Sequence, residues 1–421
     1  MSCGPVHGQA RPLPTTRTGM LADEGFRLFF LMGALHAALW PLLWVLGLGF
    51  DLPLAHSVPP SLWHAHEMLI GAFGAALIGF LTTAAPEWTD TEPPRGRPLW
   101  ILAGLWGIGR AVGLFGWDGM GAIGAMADLA WIGALIVFLL RLSWQRRTDR
   151  LLSFAFWLVL LMACTAAARW GFLTGDIALA GRALEWVGLV FLGLLGLALA
   201  RITVPVTNLV LDPTEATSPF RPHPGRLNLA PGLVLVALAA DVAGLSQMVC
   251  AFLMFGAGAA FMDRVGEAFI GREALRAEPL MLAGASALAG GGLMLTAAAR
   301  MGAPWDPVSG LHVALMGGLG LAVYAVYCIA GRLHTGRTLG LTRPERWGAL
   351  ALVAAVALRA APGFGWVPPG PVHGLSAILW AGGFLAWASV SWPAFSRAKQ
   401  NEAAAAQSFG TQSAPFPSAA E

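Results

Sequence analysis

The sequence predicts an all-α protein that crosses a membrane as a polytopic bundle of about twelve helices, with both termini in the cytoplasm. The first observation is composition: 57% of the 421 residues are hydrophobic and only 12% are charged, whereas soluble domains carry about 25% charged residues. The second is that the apolar residues fall in runs of about 20, the length of helix that crosses the hydrocarbon core. The third is an arginine bias between alternate loops.

The apolar runs follow one another from residue 28 to residue 394, and each run predicts one membrane span. The first run has no small-residue cleavage site after it, which favours an uncleaved span over a signal peptide. The second run begins after Pro59 and Pro60 and ends at PEWTD, and the sixth ends at RITVPVTN. The seventh and eighth are nearly continuous, so their division is open. The predicted spans are 28–48, 62–84, 98–116, 119–140, 151–173, 182–205, 227–246, 247–265, 279–299, 309–330, 345–361 and 373–394.

Both ends of the chain are polar and are predicted to be disordered. Residues 1–24 are rich in Pro, Gly and Thr, and residues 397–421 contain the stretch AKQNEAAAAQSFGTQSAPFPSAAE. Such segments bury too little apolar surface to fold alone. The predicted organisation is therefore a disordered segment 1–24, one transmembrane domain 25–396 and a disordered tail 397–421.

The basic residues predict the orientation of the bundle. If the N-terminus is cytoplasmic, the inside segments carry 20 of the 26 Lys and Arg residues, and the outer ends of the spans carry five. Arg201, at the inner end of the sixth span, is the remaining one. Because cytoplasmic loops are enriched in Lys and Arg, this distribution favours an even number of spans with both termini inside.

Composition also excludes several functional classes. The net charge is only +3 and the basic residues are spread over many loops, so no nucleic-acid partner is expected. The four cysteines form no CxxC pair and three of them lie inside apolar runs, so the sequence gives no support for a disulfide framework, a zinc ribbon or a covalent c-type haem site.

The stretch SLWHAHEML, at the start of the second span, concentrates polar side chains at the outer membrane face. His64 and His66 are two residues apart, so a helix directs them to roughly opposite sides. His64, Glu67 and Met68 share one face at spacings of three and four. If the stretch is instead unwound after the two prolines, both histidines could meet one ion.

Histidines of other spans are expected at similar depth. His312 opens the tenth span and His373 opens the twelfth, both from the outer side, and His36 lies about 13 Å into the first span at 1.5 Å per residue. His334 lies about 33 Å from His312 along one helix axis, so these two histidines cannot bind one metal. The sequence therefore predicts a second, inner polar site, with His334, Glu87, Arg201, Asn208, Arg332 and Arg337.

Imidazoles that project from bundled helices are typical ligands of a b-type haem and of copper. Each histidine taken alone could instead be a structural residue that only forms a hydrogen bond with a neighbouring polar group. Glu67 either orients a histidine N–H or is an interfacial carboxylate, and Met68 either binds Cu(I) or packs. The inner arginines either pair with haem propionates or only set the orientation.

Several motifs between residues 26 and 394 are similar to those of the NnrS family. They are GFRLFF, LWHAHEML, GFLTTAAPEWTD, RITVPVTN, LHVALMGGLG, GRLHTGRTL and LSAILW. The resemblance implies a twelve-span protein of the bacterial inner membrane that contains haem and copper and is linked to denitrification and resistance to nitric oxide stress. It points to these residues: His64, His66, Glu67, Arg201, Asn208, His312, Arg332, His334 and Arg337.

The chain also departs from the family pattern. It has Asn208-Leu209 where the family often has Asn-Asn, and Glu87-Trp88-Thr89-Asp90 where the family often has Asn-Trp-Thr-Gly. It has FMDRV and PLMLAGAS near the eighth and ninth spans, where the family often has histidines. This member is therefore expected to hold fewer cofactors or to hold them differently, with His36 and His373 as candidates to compensate.

Three functional hypotheses follow. The first is a haem b and copper protein that binds nitric oxide or passes electrons to it from a quinol or another donor, within the lipid bilayer. The second is a transporter that uses histidines as a transient site for a metal, a metal complex or a small anion; the chain shows no internal repeat or broken helix pair in its support. The third is an accessory subunit whose polar clusters serve a partner. Oligomeric state and enzymatic activity are left open.

Overall fold

The computed structural model describes residues 16–47, 49–221, 224–268 and 270–397. Within these ranges the chain forms helices and no β-strand, which confirms the predicted all-α fold. A short helix, Arg17–Leu21, lies in the N-terminal segment predicted to be disordered. The rest of the two disorder predictions falls largely on residues 1–15 and 398–421, which are outside the described ranges.

Twelve long helices in this part of the chain coincide one by one with the twelve predicted spans. They are α1 Gly25–Gly47, α2 Pro60–Thr89, α3 Arg97–Leu114, α4 Gly121–Arg146, α5 Leu152–Thr174, α6 Ile177–Leu211, α7 Leu229–Val242, α8 Gln247–Val265, α9 Ala277–Arg300, α10 Pro307–Leu333, α11 Arg343–Ala360 and α12 Pro371–Ser396. Ten of these described helices are long and apolar enough to cross a membrane, whereas α3 is less apolar and α7 has only 14 residues.

The division between α7 and α8 has a local cause. The chain turns at Gly244, whose φ of +70° lies in the region that favours glycine. Ser246 then caps α8, because its side-chain oxygen accepts a hydrogen bond from the backbone N–H of Val249 at 3.4 Å.

Three helices lie at the centre of the bundle. The apolar windows of α2, α6 and α10 are 83%, 72% and 67% buried, the highest values among the candidate spans. These three helices also carry the motifs SLWHAHEML, RITVPVTN and GRLHTGR, so most of the predicted site residues lie on the central helices or directly after them.

Two of the central helices share an unusual construction. Each begins with a proline at its first position, continues as an α-helix to a histidine, and then widens into seven π-helical residues. In α2 the π-helical stretch is Glu67–Phe73 and follows His66; in α10 it is Val313–Leu319 and follows His312. Such stretches are rare and occur frequently at functional sites.

Glycines bring neighbouring helices into close contact. A Cβ atom on Gly310 of α10 would lie 2.4 Å from the backbone nitrogen of Thr296 in α9, and one on Gly258 of α8 would lie 2.7 Å from the carbonyl oxygen of Gly290 in α9. Small residues at helix interfaces permit this approach inside a bilayer, where close packing replaces the hydrophobic effect as the driving force.

Candidate functional site

A buried network of charged side chains joins α1 to α5 in the part of the bundle that the arginine bias predicts to face outward, which we call the outer half; the opposite half is called the inner half. Glu67 is fully buried at its centre. Its Oε1 lies 3.0 Å from His66 Nδ1, and its Oε2 lies 3.1 Å from His36 Nε2 and 2.7 Å from Arg110 Nε. The carboxylate therefore receives partners from three helices, and it does not face the membrane interface.

Asp128 completes this network from α4. Its two oxygens each lie 3.1 Å from Arg110 Nη2, and it also pairs with the Arg169 guanidinium of α5. His66 Nε2 lies 3.4 Å from Asp128 Oδ2, so both ring nitrogens of His66 face carboxylate oxygens. Two carboxylates and two guanidinium groups balance one another, which offsets the cost of placing charges in the membrane interior.

Two glycines make room for the network. A Cβ atom on Gly71 would lie 2.4 Å from His36 Nε2, and one on Gly109 would lie 2.5 Å from Asp128 Oδ1. Any larger residue at either position would displace an ionisable side chain from its partners.

A second outer cluster gathers histidines from three helices, α2, α10 and α12. The rings of His64 and His373 lie 4.9 and 6.0 Å from the Trp44 ring, centroid to centroid. Arg359 of α11 lies 5.6 Å from the same tryptophan ring, and its Nη1 is 3.2 Å from His373 Nε2. His312, in the first turns of α10, lies near both other histidines and near Arg359. We call these five residues the outer histidine cluster.

Two ring nitrogens of this cluster are available to a ligand. His312 Nδ1 lies 2.8 Å from the carbonyl oxygen of Val308; when Nδ1 donates there, Nε2 keeps its lone pair. His64 Nδ1 is buried and has no hydrogen-bond partner among the described residues. In the same part of the chain no three His, Cys, Asp or Glu side chains are grouped closely enough to hold a metal ion. The cluster is therefore not a ready-made three-ligand site.

The positions of His64 and His66 confirm that the two side chains diverge. His64 belongs to the outer histidine cluster, and His66 belongs to the charge network, as expected for a helical separation of two residues. Met68 is partly buried and packs against two clusters of buried apolar side chains. These contacts agree with the alternative in which Met68 packs in the core.

The inner site combines a histidine with carboxylates. His334 Nδ1 lies 3.3 Å from Glu87 Oε1, and the His334 ring stacks on Phe26 at 5.1 Å between centroids. A cavity of about 250 Å³ opens beside them, with Glu24 and Thr83 among its lining residues. The inner ends of α2 and α10 therefore meet, and His334 points into the bundle.

The arginines predicted for this site have other partners and are not among the lining residues of the cavity. Arg201 lies over Trp88, with its Cζ 4.9 Å from the ring centroid, and its Nη2 donates to the Arg150 carbonyl at 2.5 Å. Arg332 donates to the Thr338 carbonyl at 3.1 Å.

Arg337 and Asn208 are likewise bound to nearby loop segments. Arg337 Nε donates to Thr335 Oγ1 at 3.0 Å, and burial lowers the pKa of the Arg337 guanidinium. Asn208 exchanges two hydrogen bonds with the backbone of Phe220, at 3.1 and 2.7 Å. These contacts hold the loops that follow α10 and α6.

The sequence-based reasoning did not assign Arg110, Arg169 or Arg359 to a site. A signal was present, because all three are among the five arginines at outer span ends, against the prevailing bias. An arginine that breaks the positive-inside pattern needs a local partner, and here the partners are Asp128, Glu67 and His373.

Comparisons with known proteins agree with this architecture. The family model described as "NnrS protein" matches residues 20–399, which covers all twelve long helices. The searches of curated proteins and of solved structures gave no match. The extent of the family match shows that the chain belongs to the NnrS family.

Proposed function

We propose that this chain is a haem b- or copper-binding protein of the bacterial inner membrane that acts in the response to nitric oxide or in its metabolism during denitrification. The observation that carries the proposal is the outer histidine cluster. In it, His312 Nδ1 contacts the Val308 carbonyl, so Nε2 is the ring nitrogen that can bind a ligand, and His64 Nδ1 is buried with no hydrogen-bond partner among the described residues. Both histidines lie on central helices that contain π-helical stretches.

The donor set fits a b-type haem better than an ion with three protein ligands. A haem iron takes one or two axial imidazoles from the protein, and the described residues do not group three ligands. His64 and His312 would hold the iron, and Arg359 offers a guanidinium to a propionate carboxylate. Neutral imidazole also suits copper, so copper is the second candidate cofactor. A haem held by both histidines would supply electron transfer, with electrons from a quinol or another donor. A haem held by only one of them, or a copper ion, would also leave a position for nitric oxide.

Trp44 and the charge network support the outer histidine cluster in two different ways. Trp44 lies against His64 and His373 and covers the cluster, which limits access of water. The charge network fixes the first π-helical residue, Glu67, to α1 and α3 through His36 and Arg110. A fixed Glu67 holds the preceding turn of α2, and with it the direction of His64.

A transporter remains the second candidate function. The observation in its favour is the pair of π-helical stretches in α2 and α10, because helices that depart from regular hydrogen bonding often line membrane binding sites. In this reading the histidines bind a metal, a metal complex or a small anion only in transit.

The absorption spectrum and metal content of the purified protein separate the two functions. A Soret band with stoichiometric iron, lost in His64→Ala and His312→Ala but kept in His56→Ala, is expected for the haem protein. His56 is an exposed loop histidine and serves as the matched control. Colourless, metal-free wild-type protein that mediates uptake of metal or anion into vesicles would instead establish the transporter and refute the haem assignment.

A further inference from the structure

A small cavity lies between the inner ends of α6, α8 and α9, away from both histidine sites. Its volume is about 10 Å³, close to the space that one water molecule needs. Its polar lining consists of Thr203 and Thr207 from α6, Arg264 from α8, Glu267 from the turn that follows α8, and Ser286 from α9. Two of these residues belong to the motif RITVPVTN, and the other three lie between the last turn of α8 and the first half of α9.

All five side chains are more than nine-tenths buried, with exposed fractions between 0% and 8%. Each has a polar atom that finds no hydrogen-bond partner among the described residues. These atoms are Thr203 Oγ1, Thr207 Oγ1, Arg264 Nε, Glu267 Oε2 and Ser286 Oγ. Since buried polar groups are almost always paired, five unpaired atoms around one cavity indicate a missing ligand.

The charges of the lining identify the class of ligand. Arg264 Nη1 and Glu267 Oε2 are 3.8 Å apart, too far for a direct hydrogen bond. Their charges cancel, so neither an anion nor a cation gains net attraction from the site. Among the described lining residues there is no thiolate, thioether or imidazole, the ligands that soft metals prefer.

The donors and acceptors of the lining side chains further restrict the class of ligand that the cavity can bind. Arg264 Nε–H can only donate, Glu267 Oε2 can accept, and the three hydroxyls can do either. A water molecule both donates and accepts, and buried waters typically make about three such bonds. One water can therefore accept from the guanidinium, donate to the carboxylate, and bond a hydroxyl of α6 or α9.

We propose that this cavity is the binding site of one ordered water molecule, which bridges Arg264 and Glu267 and connects them to the hydroxyls of α6 and α9. The water links three helices whose side chains do not reach one another directly at this point. In RITVPVTN the two threonines then contribute to a buried site, while Arg201 and Asn208 contact the neighbouring surface.

A high-resolution density map of the purified protein tests the proposal. We expect a peak at hydrogen-bonding distance, about 2.6–3.2 Å, from Arg264 Nε, Glu267 Oε2 and at least one hydroxyl. The peak should vanish in Ser286→Val, whose side chain replaces the hydroxyl and fills the space. It should remain in Thr296→Val, the matched control, because the Thr296 hydroxyl is already bonded to the Gly292 carbonyl at 2.9 Å.

Samples prepared in rubidium bromide distinguish water from an ion. An anomalous signal from bromide or rubidium at the site would overturn the assignment to water. So would an empty cavity in a map that shows other buried waters, or a peak that persists unchanged in Ser286→Val. None of these readouts depends on haem, copper or nitric oxide, so they test the water site independently of the proposed function.

Discussion

Replacing Asp128 by asparagine should strongly destabilise the bundle. The Asp128 side chain is fully buried, and the side chains of Arg110 and Arg169 are only 6% and 5% exposed. After Asp128→Asn, the Glu67 carboxylate still pairs with Arg110, but the buried Arg169 guanidinium loses the carboxylate with which it pairs. Removing one partner of a buried ion pair typically costs about 3–5 kcal/mol, and we expect a loss of this size in the free energy of unfolding.

Equilibrium unfolding in detergent micelles measures this effect, with Glu185→Gln as the matched control. Glu185 pairs with Arg300 at 2.5 Å but is 44% exposed, so its loss should cost about 0–1 kcal/mol. The double variant Asp128→Asn/Arg169→Met restores charge balance and should recover about 1–3 kcal/mol relative to Asp128→Asn alone. If Asp128→Asn behaves like the control, or the double variant is simply additive, the network is not held by charge pairing.

Three further perturbations test other parts of the structure. Gly71→Ala should displace His36 and cost about 1–3 kcal/mol by equilibrium unfolding, whereas Gly104→Ala, in open space, should be neutral or slightly stabilising. Glu345→Gln should speed hydrogen exchange in residues 335–342, since this carboxylate accepts the bonds that fold the loop after α10; unchanged exchange would contradict that role. Hydrogen bonds from Thr214 and Thr217 lower the pKa of Asp212 to about 2. Its contribution to the loop is therefore complete above the ordinary pKa near 4 and is lost as the pH falls through 2. An NMR titration that places this pKa near 4 would refute it.

The span pattern could be predicted from the sequence because it depends on local composition. Apolar runs and the prolines before α2 are properties of short segments, and each predicted span coincides with a helix. The divergence of His64 and His66 was predictable for the same reason, since it follows from helical spacing alone.

The partners of the buried charges could not be predicted in this way. Arg110, Asp128 and Arg169 lie on three different helices, and their pairing depends on which helices are neighbours and how each is rotated. A single sequence does not contain that information. The π-helical stretches were also hidden, because a widened turn leaves no distinct composition.

The inner site shows a second reason why side-chain partners could not be predicted from the sequence. The sequence predicted an inner polar site in which His334 and Glu87 lie together with three arginines, but Arg332 bonds a carbonyl and a carboxylate within 13 residues of itself. Glu87 approaches His334 from a distant helix. Contacts with nearby loop segments therefore hold the arginines away from His334, and a single sequence does not show these contacts.

The widened turns of α2 and α10 have a consequence for how these helices tolerate changes in length. A π-helical turn accommodates one residue more than an α-helical turn. Deleting a single residue within Glu67–Phe73 would let that stretch close into a regular α-helix, with the flanking faces kept in phase. A deletion one turn later, near Leu77, would rotate the rest of α2 by about 100° and carry Glu87 away from His334. Shortened homologues or engineered variants should therefore lose residues at the π-helical stretches and not elsewhere in these two helices.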